Sequence, residues 1–222
     1  MSNSVTCRAA WCLAAGLIFC LALCVSTGCN TFGVVANDIA GTPEVAAKWQ
    51  PASQPTLVLV ENYNLTPDGD VECDRVGHYV MQDLSQNNVV PLVDYAKVTA
   101  LRDDDPASYA KMSVAAIGRQ VGATQIIYVN IREMSSDTVL GTNTVKWTAA
   151  ANVTVVDAKT GRSLWPTDLA GGHPIAAETQ YDEIDPHHDE LLARDELDRN
   201  LAGQIGDLFH NWMRETDSMH DD

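Results

Sequence analysis

Residues 117–131, IGRQVGATQIIYVNI, and residues 151–165, ANVTVVDAKTGRSLW, decide the fold. In the first stretch an apolar helical stripe runs into a glycine and then into β-branched residues. Ala110, Val114, Ile117, Gly118 and Val121 recur at i, i+4, i+7, i+8 and i+11, the spacing of one buried helix face. Asp105-Pro106 supplies the N-cap and first residue, because a carboxylate accepts from an open backbone N–H and proline has none to orphan. Gly122 stands where a left-handed C-cap is expected. Gln125 to Met134 follows as a strand. Ile126, Ile127, Tyr128 and Val129 are apolar on both faces, which puts it inside a sheet.

The second stretch completes a strand from Val145 to Val155. Val145, Trp147, Ala149, Ala151, Val153 and Val155 face one way; Lys146, Thr148, Ala150, Asn152 and Thr154 face the other. This alternation predicts a half-buried antiparallel strand with its polar face toward water or a partner. Asp157 to Gly161 is a hairpin loop whose glycine supplies positive φ, Ser163–Trp165 begins the return strand, and Pro166 ends it.

These two stretches resemble a periplasmic domain shared by three groups. They are the curli-secretion-channel lipoproteins, the N-terminal domain of the Tol-system translocation protein, and the lipoprotein activators of peptidoglycan synthases. The shared features are a helix that ends at the glycine before a strand, then a strand running into D-x-x-T-G and an aromatic. The resemblance spans roughly residues 55 to 213. It implies an envelope protein that works by binding or assembly. Its ring-forming alternative is a secretion-channel subunit like the curli channel. That family inserts long amphipathic hairpins, whereas the turn between the strands at Met134 and Val145 is short here and no further pair of alternating strands about 9–11 residues long follows.

Around this centre, Thr56 to Glu61 reads as a strand that is apolar on both faces and hence central. A helix is expected over Gly69–Gln86, a short strand weakened by proline over Val89–Val93, and a minor helix over Asp94–Arg102. Asp103, Asp104 and Asp105 form a solvated corner. Ile175–Tyr181 can add an edge strand. Asp185-Pro186 repeats the N-cap device before a last helix reaching Arg214, with Ala193, Leu197, Leu201, Ile205, Leu208 and Trp212 as its stripe. The predicted fold is a single α/β domain: a mixed sheet, parallel in its first strands and antiparallel in its C-terminal meander, packed with about three helices.

The N-terminus carries an address. Arg8 and an apolar run from Ala9 to Val25 precede Ser26-Thr27-Gly28-Cys29, the pattern of an export signal. Small residues before Cys29 resemble the bacterial lipobox, with Ser26 where leucine is usual. The resemblance implies lipidation of Cys29 with acyl chains of the palmitate type. The alternatives are an uncleaved anchor or an ordinary signal peptide. Asn30 in place of aspartate implies sorting to the outer membrane, periplasmic face. The resulting organisation is a signal peptide at 1–28, a lipid-anchored tether at 29–55 with a turn of helix near Glu44–Trp49, the domain at 56–214, and an acidic tail at 215–222.

Charge and chemistry narrow the function. From Cys29 onward, 13 basic residues stand against 30 acidic ones, a balance that repels nucleic acid and anionic lipid surfaces. Trp147 and Trp165 are therefore core or interface anchors and not a nucleic-acid platform. Cys7, Cys12, Cys20 and Cys24 precede Cys29, and Cys73 stands alone on an apolar helix face, a buried thiol and no disulfide framework. His187 and His188, with His173, Asp185, Asp189 and Glu190, offer the ligand chemistry of zinc, nickel or copper. Adjacent helical residues diverge by about 100°, however, so a solvated helix start is the plainer reading and a metal-binding enzyme the lesser alternative. No nucleophile elbow, zinc-protease helix or phosphate loop is present, and no cofactor is expected. The expected protein is a monomer or small oligomer that binds another envelope protein. Lys146, Thr148, Asn152 and Thr154 are its candidate contact face, since charged residues are depleted at interface cores. The competing expectation is that the helix Gly69–Gln86 covers this face.

Overall fold

A computed structural model describes residues 44–62, 69–138, 140–142, 144–180, 182–183 and 190–213. Two units divide the chain: Ala46–Trp212, and Met1–Val45 with Met213–Asp222. The second unit holds the two-residue strand Glu44–Val45 among its described residues. Among its described residues the first carries a six-stranded sheet and five helices. In chain order its elements are β1 (Thr56–Asn62), α1 (Gly69–Gln86), α2 (Ala96–Asp104), α3 (Pro106–Tyr109), α4 (Val114–Val121), β2 (Gln125–Thr138), β3 (Thr144–Asp157), β4 (Ser163–Trp165), β5 (His173–Glu178), β6 (Asp182–Glu183) and α5 (Glu190–Gly206).

The sheet is the mixed α/β sheet expected. β1 pairs parallel with β2; β2 and β3 are antiparallel; β4, β5 and β6 all pair antiparallel with β3. Alternation then sorts the core. Val58, Val60, Ile127, Val129, Ile131, Ala149, Ala151, Val153 and Val155 form one cluster with Cys73, Val76, Val80 and Leu84 of α1 and Leu197, Leu201 and Ile205 of α5. Leu57, Leu59 and Ile126 face the other way, against Val98 of α2 and Ile117 and Val121 of α4. Both long helices therefore lie on one face, and the short ones cover only one end of the other. Cys73 is buried, as expected.

Four expectations need correction. β1 is buried on both faces but is an edge strand: helices above and below hide it, while among the described residues its outer edge meets the bridge from Leu92 to Thr56 and no strand. Residues 89–93 accordingly form no strand, because Pro91 cannot donate to a ladder. The helix expected from Asp105 to Gly122 is two, with Ala110 between them. Asp105 does cap α3 by accepting from the Ser108 N–H, but Ser113 then turns extended and caps α4 through Ala116, so a serine side chain competes with helix continuation. Gly122 ends α4 in the left-handed region as expected (φ 84°). Finally, α5 stops at Gly206 and not near Arg214. Tight turns from Leu208 to Ile205 and Phe209 to Gly206 tuck both side chains into the core, and Trp212 lies beyond them in extended backbone.

The end of the expected tether is bound to the domain. Residues 46–49 are not helical; the Lys48 and Trp49 N–H groups both donate to the Leu208 carbonyl, at 2.9 and 3.0 Å, and the Trp49 ring meets Phe209 edge-on at 6.4 Å.

Candidate protein-contact face

The two faces of β3 differ sharply. Ala149, Ala151, Val153 and Val155 are at most 3% exposed. Lys146, Thr148, Ala150, Asn152 and Thr154 are all half-buried and point the other way. The register extends this second face across the sheet. Thr148 lies opposite Ser135, Ala150 opposite Glu133, Asn152 opposite Asn130 and Thr154 opposite Tyr128. On the other side Ala150 faces Ala176 and Asn152 faces Pro174. The register shifts between Ile131 and Glu133, leaving Arg132 as an extra residue, the kind of irregularity that re-aims a side chain and adds twist.

Helix placement leaves this face half open. α1, the element expected as a competing cover, packs beside α5 on the opposite face. α4 reaches only the end near Val156 and Ala158. Two grooves follow along β3. One of about 520 Å³ has Tyr128, Asn130, Asn152 and Thr154 along its lining, with Ser113 and Gly171 among its other residues. The other, about 250 Å³, lies over Thr148, Ala150 and Ala176 and is lined by Glu133 and Glu178. The Leu169–Gly172 turn narrows the first. At Gly172 (φ 89°) a Cβ would sit 2.7 Å from Thr154 Oγ1 and 3.0 Å from the Val153 carbonyl, so only glycine lets the turn lie against the strand.

The centre of the face offers amides, hydroxyls and short side chains, with Arg132 on the lining of the first groove and Glu133 and Glu178 on that of the second. Lys146 Nζ is 2.7 Å from Glu178 Oε2, which neutralises the positive charge of the strand. Ser135 and Thr148 hydroxyls share a hydrogen bond of 3.0 Å, and the Tyr128 hydroxyl donates to Glu61 at 2.9 Å. Asn130 Oδ1 is buried with no hydrogen-bond partner, an acceptor on the groove lining. Such groups can receive and donate hydrogen bonds at close approach. Neither groove is lined by histidine or cysteine among the described residues.

The remaining predicted site residues fall elsewhere. Cys29, His187 and His188 lie outside the described residues, as do the signal segment and the acidic tail. His173 sits on β5, its ring 5.0 Å from that of Trp165, and burial, with Lys48 nearby, lowers its pKa. No group of three histidines, cysteines or carboxylates placed to hold a metal exists among the described residues, and no described helix is long and apolar enough to cross a membrane.

Sequence reasoning missed a charged seam between α1 and α5. Arg75 pairs with Asp198, Arg194 with Glu72 at 3.0 Å, and the Tyr79 hydroxyl donates to Asp195 at 2.5 Å. The Arg194 guanidinium also lies 4.8 Å above the Trp147 ring. Asp198 has a wholly buried side chain, and burial pushes its pKa up to about 6 against the pull of Arg75. The signal in the sequence was Asp198 beside the apolar stripe of α5, but its partner Arg75 sits more than a hundred residues away.

No protein-family model matches the chain, and no curated protein matches it. Among solved structures, the chain is similar to lipoprotein GNA1162 from Neisseria meningitidis, at 13% identity and a TM-score of 0.44 over 60% of this chain and 88% of that one. It is also similar to a PelC dodecamer from Paraburkholderia phytofirmans, at 10% identity and a TM-score of 0.38 over 76% of this chain and 96% of that one. A minor lipoprotein from Acinetobacter baumannii matches at 9% identity and a TM-score of 0.39, over 69% and 90% respectively.

Proposed function

We propose that this chain is a cell-envelope lipoprotein, acylated at Cys29 and held at the periplasmic face of the outer membrane. Its domain binds a protein partner through the second face of β3 and performs no catalysis. The observation that carries the binding role is the half-open face itself: an uncharged line of Thr148, Ala150, Asn152 and Thr154 lies over two grooves while both long helices pack on the other side. Depletion of charge and short side chains suit an interface core, where another backbone must come close. The anchoring role is supported by the Ser-Thr-Gly-Cys ending of the apolar segment.

The test is pull-down of the partner from native envelope with wild type, Thr148→Arg and Asn152→Arg. The variants are expected to fold normally and lose capture; normal folding with undiminished capture places the contact elsewhere. A ring of many subunits that conducts ions in a planar bilayer would replace this reading by the pore. For the anchor, Cys29→Ala is expected to leave an unprocessed precursor, while wild type gains the mass of a diacylglycerol and an acyl chain. Each buried CH₂ of that lipid contributes about 0.8 kcal/mol to membrane attachment.

A further inference from the structure

The segment that ends the tether rests on a short stretch that Leu208 and Phe209 root in the core and that His210 ties to α1. Besides the two bonds to the Leu208 carbonyl, the Ala47 N–H donates to Asn211 Oδ1 at 3.1 Å. Leu208 and Asn211 flank His210. Its ring is placed unusually: Nε2 is 2.9 Å from Asp83 Oδ2 on α1, and Nδ1 is 2.9 Å from the Asn211 carbonyl oxygen. A carboxylate and a carbonyl can only accept. A neutral imidazole has one N–H and one lone pair, so it can satisfy one of these oxygens and must repel the other; the imidazolium satisfies both. Asn87 Nδ2, 3.2 Å from Nε2, is the donor that the neutral ring would turn to, at the expense of Asp83.

We propose that His210 is a pH-sensitive latch: as an imidazolium it ties itself and Asn211 to α1 and keeps Ala47 docked on Asn211, and on losing its proton it lets Ala47 go, while Leu208 and Phe209 stay in the core. The groups that face it are Asp83 and Asn87 from α1 and Asp207 and Asn211 from its own segment. The docked segment brings Lys48, whose charge acts on His173. Burial alone would lower the His210 pKa, but the Asn211 carbonyl, Asp83 and Asp207 outweigh it and hold it above the ordinary histidine value. By linkage, the contribution is complete below the ordinary value of 6.5 and is lost as pH rises through the raised one. Docking fixes Ala47 on Asn211, and release frees it. The device is independent of which partner the β3 face binds.

The test uses the full chain in detergent micelles, labelled for nuclear magnetic resonance, from about pH 5.5 to about pH 9. At about pH 5.5 both ring nitrogens of His210 are expected to be protonated, and the second proton should leave above the ordinary histidine value. Amide-exchange protection at Ala47, corrected for intrinsic rates, should fall about tenfold or more in step with loss of that proton, because protonation and docking share one equilibrium, while Lys48 and Trp49, bonded to buried Leu208, should keep theirs. His210→Gln should show low, pH-independent protection at Ala47, and Asp83→Asn should move the transition to lower pH. The wild-type titration stands even if a variant fails to fold. A His210 ring that titrates at or below its ordinary value, or protection at Ala47 that stays level while the ring titrates, overturns the latch.

Discussion

The seam between α1 and α5 and the second face of β3 are both polar, yet they are built from opposite materials. The seam gathers Arg75, Arg194, Glu72, Asp195 and Asp198 into fixed pairs. The β3 face carries hydroxyls, amides and alanines, and Lys146 is neutralised at its margin. Buried charges demand partners in defined geometry, so they fix one arrangement of two helices on the sheet. Short uncharged groups make no such demand, and lose little when another surface replaces water. One polar region specifies the fold; the other is fit to be covered by something else.

The sharpest way to break this contrast is Arg75→Ala. It leaves the Asp198 carboxylate buried without its cation, and a cost of about 3–5 kcal/mol is expected above pH 7, read by denaturant unfolding. Below about pH 5 the cost should shrink, because the carboxyl can then take a proton and shed its charge. Equal loss at both pH values would show that Arg75 acts through packing alone.

Wild type carries its own version of that pH dependence. Folding raises the Asp198 pKa from 3.8 to about 6, so between those values the folded state holds a proton that the unfolded chain has released. Stability contributed by this group must therefore fall as pH rises across that window. Burial raises Asp207 in the same direction. Asp198→Asn should flatten the slope of unfolding free energy against pH relative to wild type; an unchanged slope would mean that Asp198 stays ionised in the fold.

A subtler break concerns the helix contact at the end of the open face. A Cβ at Gly118 would lie 2.6 Å from Ile126 Cδ1, so α4 sits on β2 only because that residue is glycine. Gly118→Ala should cost about 1–3 kcal/mol through overpacking, seen as a lower melting temperature.

How much of this was legible in the sequence depends on the range of the forces involved. Period-2 alternation named the two faces of β3 correctly, since it is a property of the strand alone. The helix Gly69–Gln86 and the Gly122 cap were legible for the same reason: stripe and cap are local. The edge position of β1 was not, because apolar residues on both faces report layers above and below and say nothing about neighbours within the sheet. Nor was the end of α5, where Phe209 is drawn inward by Trp49 and Trp165, residues far away in the chain. For the candidate site, the strand and its polar residues could be read directly. The grooves beside them could not, because they depend on where α4 and the Gly171-Gly172 turn come to rest.

The smallest effect is expected at Lys146, and it tests the open side of the comparison. Lys146 and Glu178 form an ion pair of 2.7 Å, shorter than the Arg194–Glu72 pair of the seam. Distance alone would rank it the stronger. But the Glu178 side chain is 66% exposed, against 14% for Glu72, so water screens the pair and competes for both groups. Exposed pairs of this kind contribute about 0–1 kcal/mol. Lys146→Ala should therefore change unfolding free energy by less than about 1 kcal/mol, and by still less at high salt. The same substitution removes a charge from the margin of the proposed contact face, so partner capture should respond more than stability does. A loss of several kcal/mol on Lys146→Ala would mean that this end of the sheet is part of the structural core, and that the distinction between a seam that fixes the fold and a face left for a partner does not hold there.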